Sequence, residues 1–516
     1  MKVLVCLAAA SAVWADTYPR QTGVDVEHYS FRVELSDSTD EVRGETKVEF
    51  RILRDGTSEL ALDFSDAMAV DSVAAGDMPV SFSHAADRLI LRFGAPGKTG
   101  DPRAVWVRYH GTAAGGLRIG PNAHGQRMFW TLHWPNLAHQ WLPVIDHPYD
   151  KATSEFIITA PTKYQVVANG ALVETEDLSD GRRRTHYRES VPIPVWLNAF
   201  AAGQYSARRT GSYQGVELSA WVYPQDVAKG VALFDKATTE SIAFFSDFVG
   251  PYRYEKLANV VVPGFRGGME HASAIFYSEQ WPQPERGYGL VAHEIAHQWF
   301  GNTVTERDWN DVWLSEGFAT YFSMLCIGQM QGREAFIKQL ERSKGVVVAA
   351  KTKLPAGEVV HRELVDMKLV VNDLVYQKGA WTLHMLRKLM GDESFRSGIR
   401  EYYGEFRDKN ATTADFVRLM EKHAGASLGW FFEQWLWRAG VPEVQGKWSH
   451  AGNTLRVELR QIGDVYRLPI ELGIDGRIER VELTAAEQTF TFAVKKKPTE
   501  VKLDPNLWVL MTASFE

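Results

Sequence analysis

The sequence predicts an α+β chain of several domains: an N-terminal antiparallel β unit, a helix-rich centre and a small C-terminal β unit. Three observations predict it. Apolar and polar residues alternate from residue 16 to about 205, helical spacing replaces alternation from about 206 to 440, and alternation returns after Pro442.

In the first unit, Tyr29, Phe31, Val33 and Leu35 alternate with polar neighbours, as do Val48, Phe50 and Ile52, and Leu60, Leu62 and Phe64. Period-2 patterning broken by Gly, Asp and Pro is the signature of strands packed on one face. In the centre, Phe395, Ile399, Tyr402 and Phe406 recur at helical spacing, and Thr412 and Gly425 are suited to cap the helix between them. Past Pro442, Leu455, Val457 and Leu459 alternate again. The expected division is therefore 1–15, 16–205, 206–440 and 441–516.

The chain has 516 residues, 45% hydrophobic and 23% charged, and a net charge of −7. That length supports large cores without covalent staples. The mild acidity argues against a broad nucleic-acid surface, which is usually basic. Residues 1–15 read as an export leader: Lys2, a short apolar run, then Val13-Trp14-Ala15 with the small-residue spacing of a cleavage site. The expectation is a secreted or periplasmic protein cut after Ala15. No later stretch is long and apolar enough to predict a membrane span. Cleavage would remove Cys6 and leave Cys326, which falls in a helical apolar pattern and reads as core.

His293-Glu294-Ile295-Ala296-His297 carries two imidazoles at i and i+4, on one face of a helix. Pro284 and Glu285 suit that helix's first turn and Gly301 its end. Glu316 follows His297 after 18 residues, room for a loop and the start of a second helix. Two His and one Glu with an open fourth position make a catalytic zinc site. Zinc would lower the pKa of a water toward ~7, and Glu294, beside the ligands, could take its proton and pass it to a leaving amine.

HExxH, 18 residues, then Glu resembles the M1 (gluzincin) aminopeptidase family. Gly267-Gly268-Met269-Glu270-His271 is similar to that family's exopeptidase motif, usually Gly-x-Met-Glu-Asn. Val375-Tyr376-Gln377-Lys378-Gly379 resembles its tyrosine motif, and residues 429–442 resemble the end of its catalytic domain. The resemblance implies a thermolysin-like catalytic domain followed by a β-sandwich. It implies zinc held by His293, His297 and Glu316, with Glu294 as base and Tyr376 donating to the oxyanion. It implies that Glu270 binds the free ammonium of a peptide substrate, and that the peptide runs close to the backbone at Gly267, Gly268 and Met269.

Four departures stand out. His271 replaces the usual Asn, and Ser315 replaces the usual Asn before the zinc Glu. The long helical C-terminal domain of larger members is missing after Pro442, which implies a compact form with a more open site. In the stretch Thr131–Asn136, Trp134 falls where the family usually has a second acidic or amide anchor for the ammonium. An indole only donates hydrogen bonds, so Trp134 is expected to wall the first substrate pocket or to offer a cation–π contact. Two rivals follow from the same residues: an endopeptidase or other zinc hydrolase, against which Glu270 argues, and an inactive binding protein, against which the intact zinc set argues.

Overall fold

A computed structural model describes residues 16–76, 78–280, 284–350, 357–362, 364 and 366–516. The expected leader at 1–15 lies outside the described residues. The N-terminal part is β-rich and the centre is largely helical, so the chain is a mixed α+β protein.

The alternating segments become strands with alternating burial. Val24–Glu34 buries Val24, Val26, Phe31 and Val33 and exposes the residues between most of them. It belongs to an eight-stranded sheet in the order 171–177, 182–194, 151–161, 24–34, 42–52, 102–111, 68–75, 78–79. One correction is needed: the sheet is not wholly antiparallel. Val24–Glu34 runs parallel to Lys151–Pro161, with Phe31 opposite Phe156. Over a hundred residues separate these strands, so the chain can re-enter the sheet from the same end, which a hairpin cannot do. Two smaller sheets complete this part. Its core is a separate cluster built on residues such as Phe31, Phe50, Leu62, Phe64 and Trp141. Each such fully buried side chain contributes roughly 1.5–3 kcal/mol.

The centre opens with a five-stranded sheet in the order 206–213, 216–222, 256–262, 274–278, 268–269, which leaves Gly268–Met269 at the edge. Eight α-helices follow or interleave among the described residues: α1 Val227–Phe248, α2 Pro284–His297, α3 Trp313–Gln331, α4 Arg333–Ala350, α5 Asp373–Met390, α6 Asp392–Phe406, α7 Thr413–Ala424 and α8 Gly429–Leu436. Phe395, Ile399 and Tyr402 are buried on α6 as their spacing predicts. Thr412 and Asp415 form a capping box at the start of α7, and Gly425 ends it in the left-handed conformation. Cys326 is buried inside α3. No helix of the described residues is long and apolar enough to cross a membrane.

The last residues form a four-stranded and a three-stranded sheet. Their apolar residues, Val444, Leu455 and Leu472 among them, join the same core cluster as the catalytic helices. The N-terminal sheet is tied to the centre by Lys151, whose buried ammonium donates to the carbonyls of Asn302 (3.1 Å) and Thr303 (3.0 Å). That clamp fixes the loop leaving α2.

Candidate metal centre

α2 presents His293 and His297 on one face and buries Val291, Ala292, Ile295 and Ala296 on the other, which sets its rotation. The helix ends at His297, not at Gly301 as its sequence suggested. Gly301 has a different task. It adopts φ +106°, and a Cβ there would lie 2.2 Å from Ser315 Oγ. The space it leaves lets Ser315 Oγ reach His297 Nδ1 at 3.0 Å, where Phe300 O also lies at 3.1 Å. These contacts orient the ring so that Nε2 faces inward. Ser315, read from the sequence only as a departure, therefore holds His297, one of the three residues that could bind a metal.

Glu316 stands in the first turn of α3, where the helix dipole favours a carboxylate. The start of α3 is pinned by Trp313, which donates to Thr413 Oγ1 (2.7 Å), and by Thr413, which donates in turn to Asp311 (2.6 Å). The inward atoms of the three residues form a triangle. His293 Nε2 and His297 Nε2 are 3.1 Å apart, and Glu316 Oε2 is 3.4 Å from the first and 3.3 Å from the second. Zinc with bonds of about 2.0–2.1 Å in a tetrahedron needs its ligand atoms about 3.3 Å apart. The donor set and its spacing therefore fit zinc. Glu316 Oε2 is also buried with no hydrogen-bond donor of its own.

The electrostatics call for a cation. Glu270, Glu294 and His297 form a second buried cluster whose atoms lie within 4.8 Å of one another. Burial opposes charge on His297, but Glu270 and Glu316 outweigh it and raise the imidazole to about 10. Burial and the neighbouring Glu270 hold the Glu294 carboxyl well above its ordinary range. Burial likewise lifts Glu270 to about 7, against the pull of His297 and with the help of Glu316. Three carboxylates around two imidazoles are too much negative charge for a buried pocket without a positive partner.

Glu270 follows the edge strand Gly268–Met269. Its carbonyl accepts from Gln298 Nε2 (3.0 Å) and Asn302 Nδ2 (2.6 Å), both just past the metal helix. Its side chain is buried, Oε1 lacks a partner, and that oxygen lies 3.9 Å from His297 Nδ1. Gln298 and Asn302 were not singled out from the sequence; their place directly after HExxH was the available signal. Gly268 has no room for a side chain: a Cβ there would lie 2.4 Å from the Glu294 carboxylate. Gly267 turns the chain at φ +89°. Met269 is buried in the core, so it can offer a peptide its backbone rather than its side chain. His271 is fully buried, edge-on to Phe276, and neither ring nitrogen has a partner among the described residues. Burial keeps it neutral.

Tyr376 lies in the first turn of α5, which Asn372 caps by accepting from the amides of Leu374 and Val375. Gly317 and Gly379 let α3 and α5 touch: a Cβ on Gly317 would lie 3.1 Å from the Gly379 Cα. That approach brings the Tyr376 hydroxyl to Glu316 Oε1 as a donor at 2.8 Å. Trp134 is half-buried, and its ring neighbours among the described residues are Trp196 (4.7 Å) and Trp309 (5.0 Å). The geometry thus brings His293, His297, Glu316, Glu294, Glu270 and Tyr376 together, while Trp134 packs in an indole cluster.

Comparison with known proteins agrees. Residues 234–435 match the model of the peptidase family M1 domain, and residues 25–197 match that of the peptidase M1 N-terminal domain. The chain is 30% identical over 331 residues to glutamyl aminopeptidase of Rattus norvegicus, covering 61% of this chain and 35% of that protein. It is 29% identical over 357 residues to the Homo sapiens glutamyl aminopeptidase, covering 66% and 37%. It is 26% identical over 388 residues to probable aminopeptidase 2 of Sulfurisphaera tokodaii, covering 71% and 49%. The matched stretch thus spans about a third to a half of these relatives' own length. With both halves of the site-bearing fold matched in order, the chain belongs to peptidase family M1.

Proposed function

We propose that the chain is a zinc aminopeptidase that hydrolyses the N-terminal residue from peptides. The observation that carries this reading is the buried Glu270 carboxylate, with an unpartnered oxygen 3.9 Å from His297, next to an edge strand. A carboxylate there offers a substrate ammonium a charge-assisted hydrogen bond and fixes the peptide's first residue at the metal. An endopeptidase has no use for it.

His293, His297 and Glu316 would hold one zinc ion. Bound there, zinc supplies Lewis-acid polarisation of the scissile carbonyl and a water of lowered pKa. Glu294 takes a proton from the attacking water and delivers it to the departing amine. Tyr376 turns its hydroxyl from Glu316 Oε1 to the carbonyl oxygen on which negative charge collects. Glu270 holds the ammonium throughout, and the edge strand Gly268–Met269, with Gly267 before it, offers backbone groups to the peptide. Trp134 shapes the pocket for the first side chain. The same reading divides the chain at 205 and 440, with the last two sheets as a sandwich, and takes the chain as exported after cleavage at Ala15.

The test compares a panel of aminoacyl chromogenic substrates and free peptides with their N-acetylated forms, before and after chelation. Activity on free N-termini that is lost with zinc and restored by it is the expected result. Efficient cleavage of the acetylated peptides overturns the aminopeptidase reading in favour of an endopeptidase.

A further inference from the structure

Away from the metal centre, a cavity of about 650 Å³ lies between α1, the end of α3, the starts of α4 and α6, the end of α5 and the C-terminal segment. Its volume falls in the range that holds a small organic molecule. Glu316 and Tyr376 stand at the opposite ends of α3 and α5. Gly328 and Arg387, which line the cavity, are about 18 Å and about 16 Å further along those axes at 1.5 Å per residue. The cavity is therefore separate from the peptidase site, and the inference does not depend on that reading.

Two kinds of side chain line it. Phe244, Phe248, Phe336 and Trp508 form aromatic walls. Trp508 is held in advance by stacking on His384 at 4.6 Å. Arg333, Arg387 and Arg396 supply three guanidinium groups. Their existing bonds leave donors to spare. Arg333 donates to the neutral Asn506 (3.0 Å), Arg387 to Asp392 (2.7 Å), and Arg396 to the carbonyl and carboxylate of Asp247 (2.7 and 2.8 Å). The Nε–H of Arg396 is buried with no acceptor. Each guanidinium has five N–H donors, so these bonds exhaust none of them.

Asp247 and Asp392 offset two of the three positive charges, and Arg333 has no carboxylate partner among the described residues. One net positive charge among aromatic walls selects a monoanion with a flat apolar body. A phosphate dianion lacks the apolar part, and a neutral aromatic leaves the buried N–H unsatisfied. We propose that this cavity is a second binding site, for a small aromatic or otherwise apolar monocarboxylate, with Arg333 and Arg396 meeting the carboxylate.

The test uses isothermal titration of the whole chain with 2-naphthoate, its neutral isostere 2-naphthamide, and inorganic phosphate. Naphthoate is expected to bind one site at least about tenfold more tightly than the amide, the loss expected for a charge-assisted bond. Phosphate is not expected to bind. Binding is expected to persist after chelation and in His293→Ala, which separates this cavity from the metal centre. Arg333→Glu and Met330→Glu change exposed positions on the lining, and each is expected to weaken naphthoate about tenfold or more while leaving the melting temperature unchanged. Equal affinity for naphthoate and the amide, loss of binding with zinc, or insensitivity to both variants overturns the proposal.

Discussion

Two groups of carboxylates in the molecule are handled in opposite ways. On the N-terminal sheet, Glu155 sits against His28, His186 and Arg188, with its acceptor bonds from His186 and Arg188 at 2.9 Å. His139 meets Asp146 at 2.7 Å, and His147 meets Asp16 at 2.7 Å. Each of these three carboxylates has a cationic or imidazole partner within the fold, whereas the buried Asp150 beside the same sheet has none among the described residues. At the metal centre, Glu270, Glu294 and Glu316 crowd two histidines, and both Glu270 Oε1 and Glu316 Oε2 lack a hydrogen bond. The first group is partnered by side chains of the fold itself. On the proposed reading a cation and a substrate ammonium complete the second, which clusters its carboxylates around two histidines.

The comparison breaks first at Glu294. Glu294→Gln is expected to retain one zinc per chain by metal analysis and to lose on the order of 10²–10⁴ in kcat, the general-base contribution. His293→Ala is expected to lose zinc as well. Retained turnover in Glu294→Gln would mean that its carboxylate is structural, like those of the N-terminal sheet. Next in size, Tyr376→Phe is expected to lower kcat on the order of 10²–10³ with little change in KM, since its hydroxyl counts once charge collects on the substrate oxygen. A change in zinc affinity with kcat intact would instead assign the hydroxyl to Glu316, its partner at 2.8 Å.

Gly268→Ala sharpens the point further. Its Cβ would lie 2.4 Å from the Glu294 carboxylate, so the base must shift. A displacement of that kind costs about 10²-fold in rate. Zinc content should not change, because the ligands are elsewhere. An Ala variant with full activity would show that Glu294 has freedom to move without penalty.

The sequence made the His293, His297 and Glu316 cluster legible because i, i+4 spacing places the two histidines on one helical face and because Glu316 stands in a second helix. Alternation likewise marked the strands. What it hid depends on contacts between distant segments. Gly301 looks like a helix terminator, but its lack of a side chain serves Ser315, fourteen positions on. Gly268 looks like an opening for the substrate, while its neighbour is Glu294. The parallel pairing of Val24–Glu34 with Lys151–Pro161 is invisible to periodicity, because period 2 carries no strand direction. The indole cluster of Trp134, Trp196 and Trp309 draws on three segments that no local pattern connects.

The smallest expected effect lies on the paired side of the comparison. His28 and Arg188, working against partial burial, hold the Glu155 carboxyl well below its ordinary value of 4.5. A carboxyl whose folded pKa is depressed contributes stability that is present above the unfolded value. That stability is lost as pH falls through the folded value. Glu155→Gln should therefore lower the melting temperature at neutral pH, and the gap between variant and parent should close progressively below about pH 4.5. Glu155 is only half-buried, so solvent screening limits the effect to about 1–3 °C. Zinc content and kcat should match the parent, because every partner of Glu155 lies on the N-terminal sheet. A melting difference that stays constant into acid would assign the loss to packing rather than charge. A fall in kcat without a fall in melting temperature would place Glu155 with the functional carboxylates and erase the contrast between the two groups.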